Sequence, residues 1–217
     1  MSSWNSELIV LAYTKFGERS IVLHTLSREW GRRGFLVRVG KGVSTALFLP
    51  LNILEAEIVE NPKSSLWTAR KVVSAHPLVG IRGNSHKNTM TLFMSEVLFR
   101  TLHEGTFEEG LFEWCRSSIL TLDSLEGNFA NFHLRFLLEL AVAMGFSPSA
   151  ESIAPFAGGY LTQLRGFMEA SFAESMLIPL SGGERTEIAR SLLDYLQHHT
   201  EQSINVRSLK VLHELYR

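Results

Sequence analysis

The chain has 217 residues, enough for one large or two small domains, and its 45% hydrophobic and 20% charged residues suit a globular protein with a substantial core. A net charge of −1 gives no whole-chain signal for nucleic acid, and the single cysteine, Cys115, excludes an intrachain disulfide and any multi-cysteine zinc site. No run approaches the ~18 apolar residues of a membrane span, and the start through Glu7 lacks a basic signal-peptide region, so a cytoplasmic protein without a membrane role is expected.

The first segment reads as strands. Leu8 to Tyr13 is short and β-prone and runs into a turn at Lys15-Phe-Gly-Glu18. Ile21 to Leu26 follows, Gly31 supplies a break, and Gly34 to Val39 is a third run. Leu49 to Val59 and Arg70 to Ser74 are weaker candidates. Five short strands with Gly turns in about 75 residues suit a small barrel of the OB type.

From Asn88 the apolar period changes to three and four. Met90, Phe93, Met94, Val97, Leu98 and Leu102 mark one helical face, and Leu111 to Leu122 repeats the pattern. Phe132 to Met144 is strongly apolar and ends at Gly145, a C-cap, with Pro148 beyond. Glu184 to Leu196 and Val206 to Tyr216 are further amphipathic helices. Between Ser147 and Gly183, Pro and Gly residues interrupt every pattern, so an irregular loop region over 147–183 is expected. The organisation is α+β: a barrel domain over 1–80, then an all-α helical domain over 81–217, with the boundary near Pro77 to Asn88.

Charge is unevenly divided. Through Gly83 there are eleven Lys or Arg and six acids, giving +5, and the remainder carries −6. The basic half has an electrostatic task, or surface charge is partitioned by chance.

The enzyme motifs are incomplete. Leu180-Ser-Gly-Gly-Glu-Arg185 resembles the signature segment of ABC-type ATPases, but no phosphate loop accompanies it. From Gly34 to Gly40 there is one residue too many, and Gly42 stands where Ser or Thr should hold magnesium. A helix start with Glu187 in its first turn explains the segment. His198 and His199 are adjacent and point to different helix faces, and His133 lies in an apolar stretch as a core histidine. No nucleophile elbow and no carboxylate cluster with metal-ligand spacing occur. No catalytic residue, cofactor or metal is assigned.

Four segments in order resemble the RecO family of recombination mediators. They are the turn Lys15 to Ser20 between two strands, and Ser27-Arg-Glu-Trp-Gly31-Arg32 with Val37-Arg-Val-Gly-Lys41 ahead of Leu49 to Glu55. Then come Met94 to Glu104, a helix with an inward Glu, and Asn131 to Pro148 with Val206 to Leu212. Two departures stand out. Many members carry four zinc-binding cysteines after the Gly-Phe-x-Pro element, whereas 149–172 holds none, which makes this a zinc-free branch. The basic run usual after Lys41 is also missing from 42–47.

The resemblance implies an N-terminal OB fold that binds single- and double-stranded DNA and anneals complementary strands. It also implies action with RecR to load RecA on DNA covered by single-stranded-DNA-binding protein. No covalent chemistry is implied, so the protein is expected not to be an enzyme. In such a barrel, Lys15, Arg19, Arg32, Arg33, Arg38 and Lys41 supply charge for phosphates. Trp30 is expected to be exposed for stacking, Phe16 is a second stacking candidate, and Phe35 reads as core. The family also docks the acidic, Phe-ended C-terminal tail of single-stranded-DNA-binding protein on its helical domain. Arg100 and Arg135 are candidates for that contact, or ordinary helix-surface ion-pair residues. The alternative from another class is a scaffold that uses the barrel to bind protein and has no DNA affinity.

Overall fold

A computed structural model of the chain describes residues 3–40, 44–105 and 107–215. These form two compact units. One comprises residues 1–79 with 102–119, and the other 80–101 with 120–217. The acidic stretch 102–119 thus belongs with the strands, which periodicity alone did not reveal.

In the first unit, β1 (Ser3–Lys15), β2 (Ser20–Ser27), β3 (Gly31–Arg38), β4 (Ile53–Val59) and β5 (Trp67–Ser74) close into a barrel in the order β1-β2-β3-β5-β4. All pairs are antiparallel except β3 with β5, which run parallel. This is the expected OB-type barrel, and β4 and β5, the weaker candidates, are both strands. Alternation decides which residues point inward. Leu8 and Val10 of β1, Ile21 and Leu23 of β2, Phe35 and Val37 of β3, Leu54 and Ile58 of β4, and Ala69 of β5 fill the interior. A register shift between Val10 and Ala12 bends β1 so that both of its halves serve the barrel. A 3-10 turn, Thr45–Phe48, capped by the Ser44 hydroxyl, delivers Phe48 into this core.

Among the described residues nine helices follow: α1 (Val79–Arg82), α2 (Ser85–Thr101), α3 (Leu111–Ser124), α4 (Phe132–Ala143), α5 (Ala150–Ile153), α6 (Leu161–Glu169), α7 (Phe172–Leu177), α8 (Gly182–Thr200) and α9 (Ser208–Leu215). The stretch expected to be irregular, 147–183, holds α5 to α7. Ser149 and Ser171 cap α5 and α7 with reciprocal side-chain bonds, the capping-box arrangement. The same device starts α8, with Ser181 as N-cap and Glu184 three residues on. The first-turn acid is therefore Glu184 rather than Glu187, because the helix begins at Gly182 and not two residues later. Gly145 ends α4 at φ +84°, as its place after Met144 suggests.

In the second unit α2 packs on α9, and α4 on α8. Glu96 of α2 is the inward Glu of the sequence pattern. Its carboxylate accepts the backbone N–H of Arg207 and Ser208 at 3.2 and 2.9 Å and the Ser208 hydroxyl at 2.6 Å, capping α9. Gly80 is fixed by close approach: a Cβ there would lie 2.0 Å from the carbonyl oxygen of Asp123. That carbonyl accepts the buried Lys87 ammonium at 3.0 Å, and the Asp123 carboxylate accepts the Ile81 N–H at 2.7 Å.

Candidate nucleic-acid interface

Strand register divides the candidate DNA-binding residues between the two ends of the barrel. Ser20 pairs with Arg38, and the Val39 N–H donates to the Arg19 carbonyl at 2.9 Å, so Arg19 and Arg38 are neighbours. Lys15 ends β1 opposite Ile21, and Phe16 beside it is 55% exposed. This end therefore gathers Lys15, Arg19 and Arg38, all exposed, around an open aromatic face. Lys41 follows in sequence but lies outside the described residues. Arg33 is five residues from Arg38 along β3, roughly 16 Å away, and belongs to the opposite end with Trp30 and Arg32.

At that opposite end, aromatic rings pack together. Trp30 stands edge-on to Phe35, Trp67 and Trp4 at centroid distances of 6.0, 5.5 and 6.1 Å. Trp4 and Trp67 stack at 6.1 Å, and the Arg33 guanidinium lies 3.8 Å over the Trp67 ring. Arg33 also donates to the Ser65 carbonyl at 3.1 Å, tying the β4–β5 loop to β3. The expectation of an exposed Trp30 is corrected here. It is half-buried because its ring seals the barrel against Phe35, which is fully buried as the sequence suggested. The open aromatic at this end is Trp4, 42% exposed, which the strand pattern did not single out because it precedes the apolar run.

The outer face of β2 and β3 is less cationic than the sequence implies. Gly105 donates its N–H to the Arg32 carbonyl at 2.8 Å, which lays the segment after α2 along β3. Glu104 comes with it, and a Cβ on Gly34 would sit 3.6 Å from its carboxylate and 3.8 Å from the His24 ring. Burial, and then the Arg32 charge, lowers the His24 pKa, while Glu104 acts in the opposite direction. Burial also lowers Arg32, again opposed by Glu104. Glutamates gather elsewhere too. Glu7, Glu29, Glu55 and Glu57 line a cavity of about 370 Å³ with Arg28 and Lys71. Arg28 bridges Glu7 at 2.5 Å and Glu113 at 2.7 Å, and Arg116 reaches Glu7 at 3.4 Å, so the first half of α3 is salt-bridged to the barrel strands. The first unit as folded holds eleven basic and ten acidic residues, a net +1. The +5 of the linear count disappears because 102–119 brings four glutamates to the barrel.

In the helical unit the two candidate arginines differ. Arg135 bonds Glu139 one turn on at 2.6 Å and donates to the carbonyls of Phe167 and Ala170 at 3.3 and 2.9 Å, so it pins the end of α6. Arg100 is exposed in the last turn of α2, and among the described residues no hydrogen bond or ion pair engages its side chain. Cys115 is fully buried, and burial pushes its thiol up to about 12. Among the described residues no group of three His, Cys, Asp or Glu could hold a metal ion, and no helix is long and apolar enough to cross a membrane.

Comparison with known proteins agrees with this architecture. Residues 1–77 match the family model "Recombination protein O N terminal", and residues 82–155 match "Recombination protein O C terminal". The chain is 30% identical to the "DNA repair protein RecO" of Bacteroides fragilis over 236 residues, covering 96% of this chain and 97% of that protein. It is 28% identical to the protein of the same name from Phocaeicola vulgatus (96% and 97% covered) and 27% to that from Flavobacterium psychrophilum (97% and 98% covered).

Proposed function

The chain belongs to the RecO family of DNA repair proteins, and we propose that it acts in repair as a recombination mediator whose barrel binds single- and double-stranded DNA. The observation that carries this reading is the gathering of Lys15, Arg19 and Arg38 beside the open ring of Phe16 at one end of a closed barrel. Cations neutralise phosphates and release condensed counterions, and an aromatic face takes any base. Neutralising two strands at once lowers their mutual repulsion. On this reading the protein anneals complementary strands and, with RecR, helps RecA load on DNA covered by single-stranded-DNA-binding protein, in the bacterial cytoplasm. No bond is made or broken, so no catalytic group is assigned.

The tail of single-stranded-DNA-binding protein is proposed to dock on the helical unit. Arg100 is the better candidate for its acids, because the Arg135 guanidinium is already engaged by Glu139 and two carbonyls. Leu92, exposed and two turns before Arg100, shares its helix face.

A scaffold without DNA affinity is the competing reading, and the near-neutral barrel unit favours it. Chromatography of the full chain on immobilised single-stranded DNA separates the two. A mediator is retained at low salt and elutes along the gradient, with Lys15→Gln, Arg19→Gln and Arg38→Gln each eluting earlier. A scaffold passes through.

A further inference from the structure

The barrel closes through a short seam. β3 and β5 pair over only three residues, Phe35 to Val37 against Trp67 to Ala69. Where this pairing ends, a cleft of about 450 Å³ opens, walled by Leu36, Leu47 and Val72 and carrying Arg38, Arg70 and Lys71. Among the described residues that line it, none is acidic. Lys71 Nζ lies 2.9 Å from the Glu57 carboxylate and, by hydrogen bond and then charge, is the main cause of that group's lowered pKa, to which Arg70 adds. Among the described residues no hydrogen bond or ion pair engages the side chain of Arg38 or Arg70. Four glutamates lie around the other barrel cavity, and Lys71 lines both. Its pair with Glu57 is exposed on the lysine side and therefore weak, so a phosphate can take the place of that carboxylate.

The backbone departs from regular geometry here. Between the pairs Glu55–Val73 and Glu57–Arg70, Ala56 alone faces both Lys71 and Val72, a β-bulge. Lys71 adopts φ +50°, a left-handed conformation that strains a residue with a Cβ. Regular alternation would turn Lys71 inward, two residues after buried Ala69. The bulge instead leaves its side chain 82% exposed beside exposed Arg70 and returns Val72 to the core. Strain is thus retained where two consecutive cations face outward next to a third.

We propose that this β3–β5 cleft is a nucleic-acid contact surface separate from the outer face of β2 and β3, binding the phosphodiester backbone of a single strand on Arg38, Arg70 and Lys71. The bases lie against Leu36, Leu47 and Val72. An apolar wall flanked by cations suits a single strand, whose bases are available, better than a duplex, whose bases are stacked away. This rests on the reading that the barrel binds DNA. Arg38 belongs both to this cleft and to the cationic barrel end, so one strand can pass from Lys15 and Arg19 into the cleft.

The test uses the full chain and fluorescence anisotropy with a labelled oligothymidylate between about 50 and about 200 mM salt. Arg38→Gln with Arg70→Gln lowers affinity at least about tenfold at low salt. It also reduces the slope of log K against log salt by about 1.4, since each single-strand phosphate left without its cation removes about 0.7. Lys71→Gly removes the cation and the strain together, so it binds more weakly while melting no lower than the wild type. If the double variant and Lys71→Gly bind like the wild type, while Lys15→Gln with Arg19→Gln binds more weakly, the cleft is not the contact surface and the DNA-binding reading stands. If the wild type shows no salt-sensitive DNA binding, that reading falls and the cleft proposal with it. Binding of labelled poly-glutamate that depends on Arg70, with no Arg70 dependence for DNA, assigns the cleft to an acidic protein segment and overturns the proposal.

Discussion

At Asn131 one buried amide meets three partners. Its side-chain N–H groups donate to the carbonyls of Ser175 and Ile178 at 3.0 and 2.8 Å, and its oxygen accepts Arg185 Nε at 2.8 Å. Replacing it with Leu leaves two buried carbonyls and the Arg185 Nε without that partner, and each such group costs about 1–3 kcal/mol. Asn131→Leu is therefore expected to lose about 3 kcal/mol or more in denaturant unfolding, despite similar side-chain size. His133, two residues on, is buried, and its pKa is pushed down to about 3, first by burial and then by the Arg185 charge. The unfolded chain protonates this ring near its ordinary value of 6.5, while the folded chain keeps it neutral. The stability it contributes is present in full above about pH 6.5 and is lost as pH falls from there toward about 3, by up to ~1.4 kcal/mol per pH unit. Between pH 7 and 5, above the range of most carboxylates, the wild type should lose stability faster than His133→Leu. Equal slopes would show that His133 is not held neutral. Burial of His133 was legible from its apolar neighbours. The bonds of Asn131 were not, since all three partners lie more than forty residues away in the chain.

Among the elements, those with a long uniform period were legible and those fixed by one contact were not. α2, α4 and α8 follow apolar spacings of three and four. The strands β1 to β3 follow β-prone runs between glycines. β5 reads weakly because a bulge sets two of its residues, Lys71 and Val72, against the single Ala56 of β4, and a period-two pattern cannot survive an inserted residue. α5 and α7 span only four and six residues, too few for a period, although Ser171 and Glu174 carry a helix-start signal in plain sequence. α9 depends on Glu96, whose carboxylate supplies its N-terminal cap from a different helix. Glu96→Ala is expected to cost about 1–2 kcal/mol, the size of a missing cap. It should also raise amide hydrogen exchange in 207–215 well above that in α4. Uniform exchange across both helices would show that apolar packing through Leu209 and Leu212 holds α9 without the cap.

Across the whole molecule, linear charge and folded charge differ. The basic excess of the first 83 residues does not survive folding, because 102–119 folds with the barrel and nearly cancels it. What remains is local: acids around one cavity, Glu104 beside Arg32, and cations at Lys15, Arg19, Arg38 and Arg70. Six of the seven candidate DNA-binding residues lie in the described barrel, but strand register splits them between its ends, and no linear reading of strands could have paired Arg38 with Arg70. Local cations without net charge predict DNA binding that is moderate in strength and steep in salt. The most direct measurement is the affinity of the full chain for two labelled single strands of unrelated sequence across a salt series. The two strands should bind alike, because phosphate contacts carry no sequence information, and log K should fall linearly with log salt at about 0.7 per phosphate engaged. Absence of binding at low salt, or binding that salt leaves unchanged, would contradict a barrel that holds DNA by its phosphates.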